Sequence, residues 1–317
     1  MAAGTFEGLT TIWDIEGSIR ATFPSPYGPI FALRFNPSGS FLVSCSANGA
    51  FEIYDTTEWS SIFKVPAASS RIWEAQPVLP SLAWLDDSRL AILAPEPPGA
   101  TVNCWQFDES HATHPFLRLY GHEGMINDIQ YDKYTGFIAT ASDDQTVRLW
   151  KTDKSTPHHE FRNHTDSVKA IAFQPAPADS ETPRILASAS FDGSVSIFNV
   201  STLSHLYTIG KDIHNFPGDR ISCLTWSPDG KYLCTGDLEG VVGIWEWRDA
   251  TEPRPFAVWA PDRIREDQHD STPNGTNGHK DDLDRPVHRI HWQKNGQSFV
   301  VCRENRKVIS FICREPC

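Results

Sequence analysis

Two kinds of short apolar run alternate along the chain, each with a two-residue period and each ending on an aromatic side chain. The first kind leads into a turn: FALRFNPSG, SLAWLDDS, NDIQYDKYTG, AIAFQPAPAD, CLTWSPDG and RIHWQKNG, with the aromatic at Phe35, Trp84, Tyr131, Phe173, Trp226 and Trp292. The second kind, LTTIW, FEIY, VNCW, VRLW, VSIF, VGIW and VISF, ends at Trp13, Tyr54, Trp105, Trp150, Phe198, Trp245 and Phe311. Between them lies a run of small residues such as FIATAS, ILASAS or KYLCTG, and after the second comes a further extended stretch such as LSHLYTIG. Two-residue alternation puts successive side chains on opposite faces of a strand, and no segment carries a sustained helical period.

Four short strands per unit, repeating at about 40 to 50 residues, predict an all-β fold, a WD-repeat β-propeller. The two ends do not balance, because there are six signals for a first strand and seven for a third. Residues 1–27 supply a second, third and fourth strand without a first, and the C-terminal stretch supplies strands one to three. The expectation is one propeller domain over residues 1–317, with about six nearly complete blades and a partial N-terminal blade over 1–27. Residues 261–284, PDRIREDQHDSTPNGTNGHKDDLD, are polar and free of aromatics, which predicts a flexible loop between blades; PAPADSETP after Phe173 is a shorter one.

The segment TASDDQTVRLW follows shortly after Gly121 and His122, so that a serine, a histidine and an aspartate, the inventory of a hydrolase triad, stand together as Ser142, His122 and Asp144. The set recurs as His164, Ser190 and Asp192, with Phe198 where Trp150 stood. A catalytic triad occurs once in a chain, whereas a repeated set belongs to the scaffold. The expected role is structural: the aspartate holds the histidine, which reaches the serine and then the Trp150 indole, each buried polar group satisfying the next. Asn48 and Glu239 occupy the aspartate position elsewhere, and the unit from 76 to 119 has no acidic residue in register, so packing must hold it. The chain is therefore read as non-catalytic, with no cofactor and no small-molecule substrate.

Charge and cysteines narrow the partners. With 28 Lys and Arg against 40 Asp and Glu, the formal charge is -12 and no basic run is visible, which speaks against direct binding of nucleic acid or an anionic membrane. The seven cysteines are scattered, with no CxxC pair, and read as reduced thiols in an intracellular protein that is not secreted. No metal site is expected: His288 and His291 lie at an odd separation on one strand and so point to opposite faces, and the adjacent His158 and His159 have no partner in sequence.

GPIFALRFNPSGSFLVSCSANGAFEIYD (28–55), GHEGMINDIQYDKYTGFIATASDDQTVRLW, PRILASASFDGSVSIFNV and above all AFQPAPADSETPRILASASFDG resemble the propeller of the transducin beta-like 1 family. The resemblance implies a transcription-regulating scaffold of the nucleus, with cytoplasm as a second location, in a chromatin-associated corepressor complex containing histone deacetylase. Its expected partners are corepressor and deacetylase subunits or basic histone tails. That family has an N-terminal LisH segment and eight blades, of which this chain is similar to about the last six and a half, as in an N-terminally truncated member.

Partners of a propeller meet the face where the loops entering the first strands converge with the turns after the second strands. The repeat register places there Pro29, Phe31, Met125, Asn127, Asp143, Ser167, Lys169, Phe191, Arg220, Ser222, Pro286, His288 and Glu304, among them the Phe, Met and Arg types enriched at interfaces. An alternative reading, a substrate receptor of a cullin-type ubiquitin ligase, comes from VVGIWEWR, where Trp245, Glu246 and Arg248 are similar to a WDxR adaptor motif with glutamate replacing aspartate.

Overall fold

The structure is a computed structural model that describes residues 2–14, 16–25, 28–46, 49–66, 81–96, 99–107, 115–175, 183–210, 220–247, 254–259, 286–292, 298–303 and 308–312. The loop expected at 261–284 lies outside the described residues, as does the greater part of PAPADSETP. Every regular element described is a β-strand. Contacts divide the chain into two compact units, Met1–Asp144 with Arg148–Glu160, and Gln145–Val147 with Phe161–Cys317.

In the first unit β1 (Ala2–Gly4), β2 (Leu9–Trp13) and β3 (Ile19–Pro24) form a three-stranded antiparallel sheet. Next come β4 (Ile30–Phe35), β5 (Phe41–Ser46), β6 (Phe51–Asp55) and β7 (Ser60–Val65), and then β8 (Leu82–Trp84), β9 (Arg89–Glu96), β10 (Gly99–Gln106) and β11 (Leu117–Leu119). The last sheet here is β12 (Ile126–Asp132), β13 (Phe137–Ser142), β14 (Val147–Lys151) and β15 (His159–Phe161). The second unit holds β16 (Val168–Phe173), β17 (Ile185–Ser190), β18 (Val195–Asn199) and β19 (Ser204–Ile209). It also holds β20 (Ile221–Trp226), β21 (Tyr232–Asp237), β22 (Val242–Glu246) and β23 (Arg254–Trp259), then β24 (Val287–Trp292), β25 (Ser298–Arg303) and β26 (Val308–Ile312). Neighbours in each sheet follow chain order, as short turns between consecutive strands require.

Burial explains the residue types. The second strand of a unit is covered on both faces: all six residues of β17, ILASAS, are buried, and so are five of six in β13 and β21. Small side chains there let the neighbouring sheet approach. A Cβ on Gly236 of β21 would stand 2.5 Å from Val287 Cγ1 of β24, and one on Gly4 of β1 would collide in the same way with Ile30 of β4. The fourth strands are edges and alternate accordingly, β3 reading exposed-exposed-intermediate and β7 carrying Lys64 outward.

Among the described residues the sheet of β8 to β11 shows no histidine network, and its interior is closely packed: Leu82, Leu90, Val102, Cys104 and Leu119 are each no more than 1% exposed. Full burial of one such aliphatic side chain contributes about 1.5 to 3 kcal/mol, so these residues together outweigh one lost polar network. The first-strand tryptophans add links between sheets, Trp84 Nε1 donating to Arg34 O at 3.2 Å and Trp226 Nε1 to Ala172 O at 3.1 Å.

Candidate interaction face

The histidine sets form, with one correction to their membership. His122 Nδ1 lies 2.7 Å from Asp144 Oδ2 and Nε2 lies 2.7 Å from Thr140 Oγ1, which also accepts the Trp150 indole N–H at 2.8 Å. The hydroxyl in the chain is therefore Thr140 and not Ser142. In the second unit it is Ser188 and not Ser190: His164 Nδ1 meets Asp192 Oδ2 at 3.0 Å and Nε2 meets Ser188 Oγ at 2.7 Å. Residues two apart on a strand share a face, so Thr140 and Ser142 were equally eligible by spacing, and pairing register decides between them. In β21 and β22 Leu233 stands opposite Trp245, and its indole donates to Thr235, two residues further on. Ser142 and Ser190 cap the turn instead, accepting the amides of Asp144 and Asp192, each at 3.1 Å.

A carboxylate only accepts, so His122 Nδ1–H donates to Asp144, Thr140 donates to Nε2, and the indole donates to Thr140. Burial holds the His122 imidazole below the usual histidine range, against the opposing pull of Asp144, and keeps it neutral. Burial pushes Asp192 up, but hydrogen bonds from His164, Ser194 and the Thr165 amide outweigh it and hold that carboxyl well below the usual range. The Ser188, His164 and Asp192 order repeats the hydrogen-bond sequence of a hydrolase relay. Its hydroxyls cannot meet a substrate, since Thr140 and Ser188 are 0% exposed.

The nominated face residues share a structural cause. Pairing of the first and second strands shifts register between Ile30 and Ala32, Ile126 and Asp128, Val168 and Ala170, Ile221 and Cys223, and Val287 and Arg289. The residues left over at these bulges are Phe31, Asn127, Lys169, Ser222 and His288, and a bulge frees its extra residue from the ladder and re-aims its side chain. A second repeated feature ties the turn to the strand entry: Asp143 N donates to Met125 O, Phe191 N to Ser167 O, and Leu238 N to Arg220 O. Leu238 thus belongs with Asp143 and Phe191, a position the sequence reading left out.

Individual environments differ. Asn127 Nδ2 donates to Asp143 Oδ1 at 2.8 Å, and Ser222 turns its hydroxyl inward to the carbonyls of Gly236 and Val287. Phe31 meets Phe6 edge to face at 6.0 Å; Phe6, in the turn between β1 and β2, is 70% exposed and was also missed. Pro29 and Pro286 are half-buried at the entries to β4 and β24. The His288 side chain and all of Glu304 and Arg248 lie outside the described residues. Trp245 of the suggested adaptor motif is 1% exposed with its indole on Thr235, which withdraws it from any partner, and Glu246 is paired in the strand ladder. Among the described residues no three His, Cys, Asp or Glu side chains group as a metal site, and no helix is long and apolar enough to cross a membrane.

Repeated antiparallel sheets with these networks define a WD-type β-propeller. Over 99% of this chain the fold matches the C-terminal WD40 domain of Sif2, with a TM-score of 0.77 at 17% identity and 78% of that chain covered. It also matches a chain of the mitotic checkpoint complex over 99% of its length, with a TM-score of 0.70 at 16% identity and 87% of that chain covered. The model of the WD domain, G-beta repeat, fits residues 17–55, 114–151, 155–199 and 210–246, about half of the sequence, and the chain belongs to that family. WD-repeat domains act as protein-interaction scaffolds and are generally not catalytic. Similar proteins include the WD40 repeat-containing protein HOS15 of Arabidopsis thaliana, 25% identical over 240 residues, covering 74% of this chain and 36% of that protein. Transcription initiation factor TFIID subunit 5 of Caenorhabditis elegans is 26% identical over 222 residues, covering 69% and 30%. The chain spans about a third of the length of these relatives.

Proposed function

We propose that this protein is a non-catalytic subunit of a nuclear, transcription-regulating assembly of the corepressor type, recruiting a protein partner through the bulge and turn face. The observation that carries the reading is a contrast between two sets of residues. The buried His–Asp–hydroxyl network is the same in the sheets of β12 to β15 and β16 to β19, whereas the bulge positions read Phe31, Asn127, Lys169, Ser222 and His288 on the same backbone feature. Different side chains on one recurring backbone feature are the arrangement that distinguishes one partner from another. The transcription factor subunit among the similar proteins supports the setting, and the resemblance to transducin beta-like 1 propellers supports corepressor and deacetylase subunits as the companions.

Affinity purification of the tagged full chain from nuclear extract tests the reading. The expected result is recovery of corepressor and deacetylase subunits, reduced when Phe31, Phe191 and Arg220 are replaced together by serine. Recovery of a cullin-ligase adaptor in place of deacetylase subunits would overturn it.

A further inference from the structure

One second strand lacks what the others have. In β5, β13, β17 and β21 the last five residues are buried, and each of these strands lies between a first and a third strand. β1 stands in the same register: Thr5 N donates to Leu9 O as Ser46 N does to Ala50 O and Ser190 N to Ser194 O. Yet Ala3, Gly4 and Thr5 are exposed, and among the described residues β1 pairs only with β2. Its face is covered, since Gly4 packs on Ile30 of β4 with no room for a Cβ, so what meets solvent is the main-chain edge.

Alternation along an antiparallel strand identifies the groups on that edge. Thr5 N points to β2, so the Gly4 and Phe6 amides point the other way. In three complete sheets the amide at the Phe6 position has a fixed acceptor at the entry to the first strand: Met125 O for Asp143, Ser167 O for Phe191 and Arg220 O for Leu238. Among the described residues Phe6 N has no such acceptor.

We propose that the edge of β1 takes an extended segment of a partner protein as its antiparallel first strand, with the pattern Ile/Val-x-x-Ile/Leu-x-aromatic. The proposal goes beyond the recruitment reading and does not require it. Five strands that fill the same place elsewhere specify the occupant. The residue opposite the Thr5 position is Ile30, Ile126, Val168, Ile221 or Val287, each buried, with a bulge after it and an aromatic five residues on. That pattern occurs five times in the sequence, always in a first strand already paired in its own sheet, so the segment is assigned to another polypeptide. An open edge is a template for strand addition, in which main-chain bonds give affinity and alternate side chains give specificity. The edge ends at Phe6, whose ring meets Phe31, so it is continuous with the bulge and turn face.

The test titrates a labelled peptide copying residues 165–175, TDSVKAIAFQP, into the full chain by fluorescence anisotropy, with hydrogen exchange as a second readout. Ala170 pairs with Ala189, the counterpart of Gly4, so its amide in the peptide should donate to the edge. The peptide should bind and protect the Gly4 and Phe6 amides. Affinity should fall about tenfold when the Ala170 amide is N-methylated, or when Val168, Ile171 and Phe173 of the peptide become serine. Phe6 is the second residue of the turn closed by Gly8 N on Thr5 O, a position that accepts proline. F6P should therefore weaken binding more than F6S, which keeps the N–H, and F191S with R220S should bind as the wild type does. Absence of binding, equal binding of the N-methylated peptide, protection that omits Gly4 and Phe6, or a loss in F191S with R220S overturns the proposal. So do Gly4 and Phe6 amides that already exchange slowly in a free monomer, where the chain covers its own edge, and a dimer that the peptide dissociates, where a second copy does.

Discussion

Replacing Asp237 by serine should stabilise the protein at neutral pH. Asp237 ends β21 where Ser142 and Ser190 end β13 and β17, and its Oδ1 accepts the amides of Glu239 at 3.0 Å and Val241 at 2.7 Å. The residue is 1% exposed, and its Oδ2 has no hydrogen-bond partner among the described residues. Burial, with Glu239 adding to it, pushes the carboxyl up to about 6 from 3.8. A folded-state value above the unfolded one means that the folded protein holds this proton more tightly. The group's contribution is fully present below about pH 4, declines as pH rises toward about 6, and stays low above it.

A shift of about two pH units corresponds to a ceiling of about 3 kcal/mol, and an unsatisfied buried group costs about 1 to 3. Serine keeps the bond to the Glu239 amide and gives up the one to Val241, worth about 1 kcal/mol. The net gain should be about 1 to 2 kcal/mol at pH 7.5, shrinking to nothing or reversing near pH 4. Urea unfolding of wild type and D237S at both pH values reads the double difference, which cancels the titration of every other group. An equal effect of the substitution at both pH values, or a loss of stability at pH 7.5, would refute the reasoning.

The network assignment predicts that T140V costs about 2 to 3 kcal/mol, because it strands both His122 Nε2 and the Trp150 indole, whereas S142A, which loses one turn cap, costs about 1 or less; thermal melts of the pair separate them. Asp192 is held below its unfolded range, so its contribution is present above about pH 4 and lost as pH falls through the folded value; D192N should flatten the acid limb of a stability profile and lower stability at pH 7. Trp226→Phe should cost about 1 kcal/mol or somewhat more through the lost bond to Ala172 O, seen as faster hydrogen exchange in β16 and β20.

The strands were readable because alternation and terminal aromatics are properties of single strands: VRLW and VGIW are β14 and β22, and CLTW is β20. What remained hidden depends on pairing. Thr140 and Ser142 stand on one face of one strand, and only the register shows that the indole stops at Thr140. The bulges at Phe31, Asn127, Lys169 and Ser222 leave no mark in composition, yet they explain why the positions next to the first apolar residue of the strand are turned aside. Phe6 was overlooked because its turn precedes any complete repeat, and Asp237 because its burial comes from the packing of β21 and not from any spacing along the chain. The meeting of Lys169 and Arg220 over Phe191 joins residues from two different sheets, and no spacing along the chain encodes that.

We propose that partner recruitment rests on the bulge and turn face and on no buried polar site. Its most direct measurement is quantitative mass spectrometry of partners captured from nuclear extract by three versions of the full chain: wild type, the face variant F31S with F191S and R220S, and the network variant S188A. The face variant should melt as the wild type does and lose the corepressor and deacetylase subunits, while S188A should retain them at temperatures where it is folded. Retention of the same partners by the face variant, with their loss in folded S188A, would contradict it.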